Sequence, residues 1–485
     1  MTRQGTPWLK HSASRSRVTR KALLAVLSFS ALLPLAASAV TPATPRVSGP
    51  IPYTQSNPIW MASQINLSRF GYIEEEYFID GNANVYATPL QPIPQVVSTV
   101  PYRTRILVRR PAKASNYSGN VVLEPIHPSR SAPALGLDFR WVYTNGDVWV
   151  GVEPPGNNSV LQQFNPLRYG SLTALPSLTV HDLLGQVAVL LQSNRANPIP
   201  RLRVRDVFMQ GNSATCQIVT QFINSFHHTT TLADGSPIVS GYLPSMCATA
   251  LPDLNVPVIR VMSQYDFSVA TRKPDSDAAN GRYRLYEVAG AAHFTTSNPL
   301  LGENLNVIKA LGITGSSGDS TGCKELGPPL YAALNDFPTW AIMDGAMRNL
   351  QQWVQKGTPP PRADRFLTDT SGAPILDQFG NFQGGVRTPI VEVPTATWRA
   401  LGTGCFLWGY KVPFTGDVLE QLYRNHNVYV RQVTRETERL LREGWVTEFD
   451  AKQLIYEAQI SPVPNPEDAS LASRQPFYPF LDSGR

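Results

Sequence analysis

Ser213, Asp266 and His293 have the residue types, order and settings that nucleophilic acyl transfer requires. A hydroxyl is a weak nucleophile, so it must be held on a tight turn where a base can take its proton. Ser213 lies in Val207-Phe208-Met209-Gln210-Gly211-Asn212-Ser213-Ala214-Thr215-Cys216, an apolar run that passes into small residues. That pattern predicts a strand entering a helix through a sharp turn flanked by Gly211 and Ala214. Thr215 stands where Gly-x-Ser-x-Gly would place its second glycine, which leaves less room between strand and helix. Taken alone, the segment also fits Ser213 as an ordinary helix N-cap.

The later segments favour chemistry. Val256–Met262 reads as a strand followed by Ser263-Gln264-Tyr265-Asp266, and Arg282–Val288 as a strand followed by Ala289-Gly290-Ala291-Ala292-His293. The small residues before His293 free its loop to reach over the nucleophile. His293 would take the Ser213 proton and return it to the leaving group, while Asp266 fixes the imidazole tautomer. Glu287 and Asp253 are alternative acids. The helix opening at Ala214 would aim its N–H groups at a developing oxyanion. A second donor is expected from the loop after Asn120–Glu124, where Pro125 and Pro128 lack N–H groups and leave Ile126 and His127.

Positioning these residues takes a succession of strands and helices. Besides those above, strand patterns cover Tyr72–Ile79, Tyr102–Arg109, Asn120–Glu124, Val148–Val152, Val204–Gln210 and Pro237–Leu243. Helical patterns cover Leu172–Asn194, Ala214–Phe226 and Trp340–Lys356, and the charged stretch Gly416–Ala458 also reads as helical. Alternation of the two predicts an α/β architecture, a mostly parallel sheet flanked by helices.

With Phe164-Asn165-Pro166-Leu167-Arg168-Tyr169-Gly170-Ser171-Leu172, the Gly-x-Ser turn, Val288-Ala289-Gly290-Ala291-Ala292-His293-Phe294 and Gly384-Gly385-Val386-Arg387-Thr388-Pro389, the chain resembles the α/β-hydrolase-domain family of exported esterases over about residues 70–400. The resemblance implies the α/β-hydrolase fold and a carboxylic ester hydrolase more than any one substrate. Amide hydrolysis by the same triad, or a silent fold serving as a binding module, are the alternatives. The expected layout is a signal peptide at 1–39, an irregular lead-in at 40–65, a hydrolase domain at 66–410 with a lid at 295–338, and a helical extension at 411–485. Arg168 and Tyr169 would line the pocket or anchor a loop.

The leader carries Arg3, Lys10, Arg15, Arg17, Arg20 and Lys21, then an apolar run and Ala37-Ser38-Ala39 as a cleavage site. Taking these six from 42 basic residues leaves 36 against 36 acidic ones, so the mature chain is formally neutral. Neutrality gives no reason to expect nucleic acid as a partner; a small-molecule or polymeric ester is expected, with no membrane span after cleavage. A secreted or periplasmic location would let the four cysteines oxidise. The expected pairs are Cys216–Cys247 and Cys323–Cys405, against one bridge and two thiols. No cofactor motif or zinc spacing is present, and His227-His228 reads as a solvent-facing pair rather than metal ligands. Arg431–Glu443 reads as a solvated helix face.

Overall fold

A nine-stranded sheet organises the chain in a computed structural model that describes residues 39–54, 56–63, 65–128, 134–193, 198–199, 202–298, 334–400 and 407–465. The expected signal peptide as far as residue 38, positions 299–333 of the expected lid, Cys323 and Cys405 lie outside them. The strands are β1 (Arg46–Ser48), β2 (Tyr72–Tyr86), β3 (Val96–Pro111), β4 (Asn120–Pro125), β5 (Val148–Val152), β6 (Asp206–Asn212), β7 (Gly241–Ser245), β8 (Val258–Met262) and β9 (Tyr283–Glu287). They stand in the order β1-β2-β3-β5-β4-β6-β7-β8-β9. Pairing is antiparallel from β1 to β5 and parallel from β5 to β9, the mostly parallel sheet expected.

The helices are α1 (Leu135–Asn145), α2 (Asn158–Phe164), α3 (Pro166–Tyr169), α4 (Val180–Gln192), α5 (Ala214–Ser225), α6 (Thr339–Lys356), α7 (Pro389–Glu392), α8 (Gly416–Tyr423), α9 (His426–Glu443) and α10 (Glu448–Ile460). The parallel strands are short apolar runs because both faces are covered, and successive side chains serve opposite faces. Val122, Phe208, Ile259, Val261 and Tyr286 pack towards α1 and α6. Their neighbours Val121, Leu123, Val207, Met209, Val258 and Leu285 pack towards α4 and α5. Slipping one strand by a residue would exchange the two sets, so the register is strongly specified.

Several boundaries differ from the sequence reading. β2 and β3 run much further than their apolar segments, because the ladder continues through polar pairs such as Asn84↔Thr99. The helix expected from Leu172 starts at Val180, after a 3-10 turn at Ser177–Thr179. β7 starts at Gly241 rather than Pro237. The lead-in pairs β1 with β2. Near the C-terminus, Leu440, Trp445, Val446, Ala451 and Leu454 join the core around α6, while Arg431, Arg435, Glu438 and Arg442 of α9 face solvent. Contact with α6 is tight at one point, where a Cβ on Gly345 would lie 1.9 Å from the Trp445 carbonyl oxygen.

The antiparallel end holds buried charge. Arg105 pairs with Glu76 and Glu153 at 2.8 Å each, and Arg168 with Glu76 at 2.5 Å. Arg168 also donates to the carbonyls of Pro52 and Asn57, and the Tyr169 hydroxyl accepts from Trp60 N–H at 2.8 Å. Arg168 and Tyr169 therefore anchor the lead-in. His227 departs from the solvent-facing expectation: it is buried, with ring nitrogens 3.0 Å from the Tyr242 hydroxyl and 2.7 Å from Asn255 Oδ1. Only His228 faces solvent, because the chain turns after α5 and folds the first histidine against β7.

Candidate active site

Ser213 occupies the turn between β6 and α5, with φ 59° and ψ −121°. Such a backbone is strained for any residue with a side chain, and strain of this kind concentrates where the fold must present one group. Ser213 makes no capping bond to α5; its Oγ lies 2.7 Å from His293 Nε2. Gly211 makes the turn possible, since a Cβ there would sit 2.5 Å from the Thr215 carbonyl oxygen. Thr215 does not obstruct the turn. Its Oγ1 accepts from Asn212 N–H and donates to Asn212 O.

The base and acid arrive from the ends of β9 and β8. His293 Nδ1 lies 2.8 Å from Asp266 Oδ1 and 3.0 Å from Oδ2. Ser263 donates to Asp266 Oδ2 at 2.5 Å, and its Oγ accepts from the N–H groups of Tyr265 and Asp266. The acid therefore sits in a turn closed by a hydroxyl three residues earlier, a Ser-x-x-Asp spacing that is the local signal for it in the sequence. The alternative acids are engaged elsewhere: Glu287 with Arg272 at 2.8 Å and with Phe366 N–H, and the exposed Asp253 with Lys273 at 2.6 Å.

The expected oxyanion donors separate. Ala214 is the first residue of α5, so its N–H has no acceptor within the helix. Ile126 is corrected: its N–H donates to Val152 O at 2.8 Å, because the strand pairing of β4 with β5 continues one residue past β4. His127 follows and is buried; its carbonyl accepts from Asn157 Nδ2 at 3.4 Å. Burial, and secondly the nearby His293, push the His127 imidazole down to about 4, so this ring is neutral at pH 7.

Beneath the site, Gln210 donates to Glu124 Oε2 at 2.8 Å, joining the strand that leads to Ser213 with the strand that leads to His127. Glu124 also accepts from Leu135 N–H at the start of α1. Burial raises its carboxyl to about 7. Behind Ser213, Cys216 of α5 and Cys247 after β7 form a disulfide, one of the two expected pairs. Among the described residues no group of three or more His, Cys, Asp and Glu could hold a metal ion, and no helix is long and apolar enough to cross a membrane.

A hydroxyl on a strained turn, hydrogen-bonded to an imidazole that a carboxylate orients, can deliver an activated oxygen to an electrophilic carbonyl. A family model described as an alpha/beta hydrolase domain matches residues 47–456. No curated protein matches the sequence. Similar solved structures include a brefeldin A esterase described as a bacterial homologue of human hormone-sensitive lipase, at 15% identity and TM-score 0.19 over 35% of this chain. The chain spans only 40% of that esterase's length. Fungal esterases from Rhizomucor miehei match at 12% identity and TM-score 0.28, over 48% of this chain and 83% of theirs. A bacterial esterase matches at 12% identity and TM-score 0.24, over 49% and 89%.

Proposed function

We propose, from the premise that this chain belongs to the α/β-hydrolase domain family, that it is a serine hydrolase cleaving carboxylic esters through an acyl-enzyme on Ser213. The observation that carries this reading is one imidazole in two contacts, Nε2 at 2.7 Å from Ser213 Oγ and Nδ1 at 2.8 Å from Asp266 Oδ1. In the first half-reaction Ser213 Oγ attacks the ester carbonyl as His293 Nε2 takes its proton. The tetrahedral oxyanion is held by the Ala214 N–H at the start of α5 and by the backbone of the loop at His127. Collapse expels the alcohol, which receives the proton from Nε2. Water then repeats the sequence on the acyl-enzyme, releasing the acid and restoring Ser213. Each oxyanion donor is worth about 10²–10³ in kcat.

The chain is read as exported because a basic leader precedes an apolar run and a small-residue cleavage site, and because the Cys216–Cys247 bond suits an oxidising compartment. The substrate is a small or polymeric ester.

A fluorophosphonate probe tests the reading. Wild-type protein should be labelled at Ser213 and Ser213→Ala should not, with p-nitrophenyl ester hydrolysis falling on the order of 10⁴- to 10⁶-fold. Asp266→Asn should lose about 10⁴ in kcat, since the imidazole then takes the wrong tautomer. A wild type that the probe leaves unlabelled, or labelling that survives Ser213→Ala, overturns the proposal.

A further inference from the structure

The loop that carries His293 is gripped at one glycine by two buried amide side chains. Gly290 has φ +90°, and a Cβ there would lie 2.7 Å from the Phe337 ring, so the chain turns here with no room for a side chain. The Gly290 N–H donates to Gln264 Oε1. The Gly290 carbonyl accepts from Asn335 Nδ2 at 2.9 Å. Gln264 and Asn335 are both fully buried.

Each amide is itself fixed. Gln264 lies inside the Ser263–Asp266 turn, and its own N–H donates to Ala291 O at 2.9 Å. One residue thus ties the acid's turn to the base's loop in two places. Asn335 Oδ1 accepts from Phe337 N–H at 3.0 Å, and its carbonyl accepts from Thr296 N–H at 2.9 Å. Asn335 therefore braces the chain on both sides of His293, at Gly290 before it and Thr296 after it. Two backbone groups of a single residue, three positions before the base, are held from two different segments.

Resting on the reading of Ser213 as nucleophile, we infer that Gln264 and Asn335 are positioning residues that set the His293 imidazole between Asp266 and Ser213. Neither touches the reacting atoms. A base must stay within hydrogen-bond reach of the hydroxyl it deprotonates, and a displacement of about 1 Å costs on the order of 10² in rate. The loop is short and rich in Gly and Ala; Ala289 N–H to Val386 O and Phe294 N–H to Leu407 O tie its flanks, and the two amides fix the turn at Gly290 between them.

Gln264→Met keeps the length of the side chain without the acceptor, and Asn335→Leu keeps roughly its size without the donor. Both are assayed with p-nitrophenyl esters, with fluorophosphonate labelling, and by proton NMR for the low-field signal of an imidazole N–H bonded to a carboxylate. Each folded variant should lose about 10- to 100-fold in kcat with KM within about twofold. Labelling should slow in proportion, and the low-field signal should broaden or vanish. Because both side chains hold the same residue, the double variant should lose less than the product of the two single losses. Unchanged kcat and an unchanged low-field signal in either folded variant would overturn the inference. If one variant fails to fold, the other, on a different segment, decides alone. A wild type that does not react with the probe would instead sink the reading of Ser213, a distinguishable result.

Discussion

The Thr215 hydroxyl closes the nucleophile turn by engaging both backbone groups of Asn212, accepting its N–H at 2.7 Å and donating to its carbonyl at 2.9 Å. The side chain that departs from the glycine pattern is thus a component of the turn, and Gly211 alone provides the close approach of strand and helix.

Thr215→Val should therefore be worse than Thr215→Ser. Valine keeps the volume but leaves two half-buried backbone groups without this partner, at about 1 kcal/mol or somewhat more, whereas serine retains both bonds. Denaturant midpoints and kcat for the two variants check this. Equal stability and equal activity would show that the hydroxyl contributes nothing to the turn.

The Cys216–Cys247 bond joins the first turn of the nucleophile helix to the segment after β7 across a sequence separation of 31. Closing a loop of that size stabilises by about 3–4 kcal/mol in the chain-entropy account. The Cys216→Ala/Cys247→Ala double variant, or the reduced wild type, should lose that much. Activity should decline as well, since Cys216 lies one helical turn beyond Ser213. Urea titrations with and without reductant measure the first effect and ester hydrolysis the second.

Stability should fall between mildly acidic and alkaline pH through one buried acid pair. Asp344 of α6 and Asp450 of α10 are fully buried, with Asp138 and Arg140 from α1 and Arg348 from α6 facing them. Burial, with the partner's charge behind it, raises Asp344 well above the carboxylate range, and burial lifts Asp450 to about 6. The folded chain therefore keeps protons that the unfolded chain sheds near pH 4. The pair's contribution is complete below about pH 4 and is lost as pH climbs, through about 6 for Asp450 and further up for Asp344. Asp344→Asn removes one of the two titrations. Its stability relative to wild type should rise between pH 5 and pH 8 by on the order of 1–3 kcal/mol. A difference independent of pH in thermal denaturation would refute the linkage.

The sequence exposed the strands and the three residues just past them because short apolar runs and small-residue turns are local signals. What it concealed was partnership at a distance. Nothing local says that Glu287 belongs to Arg272, which leaves Asp266 as the acid facing His293. Ile126 and His127 look equivalent as donors until pairing with Val152 engages the first. Arg168 reads as lining the pocket or anchoring a loop, and nothing local decides between them or marks Arg105 as buried; a buried guanidinium is recognisable only once Glu76 and Glu153 are seen beside it. Gln264 and Asn335 act through the backbone of Gly290, and no spacing rule connects residues 26 and 45 positions apart in the chain.

The meeting of Gly345 with the Trp445 carbonyl bears on how the molecule is made. One face of α6 is closed by residues between Leu440 and Leu454, which follow every strand of the large sheet in the chain. A nascent chain that already holds every strand of the large sheet still presents that apolar face to water, and its core closes only once α9 and α10 have left the ribosome.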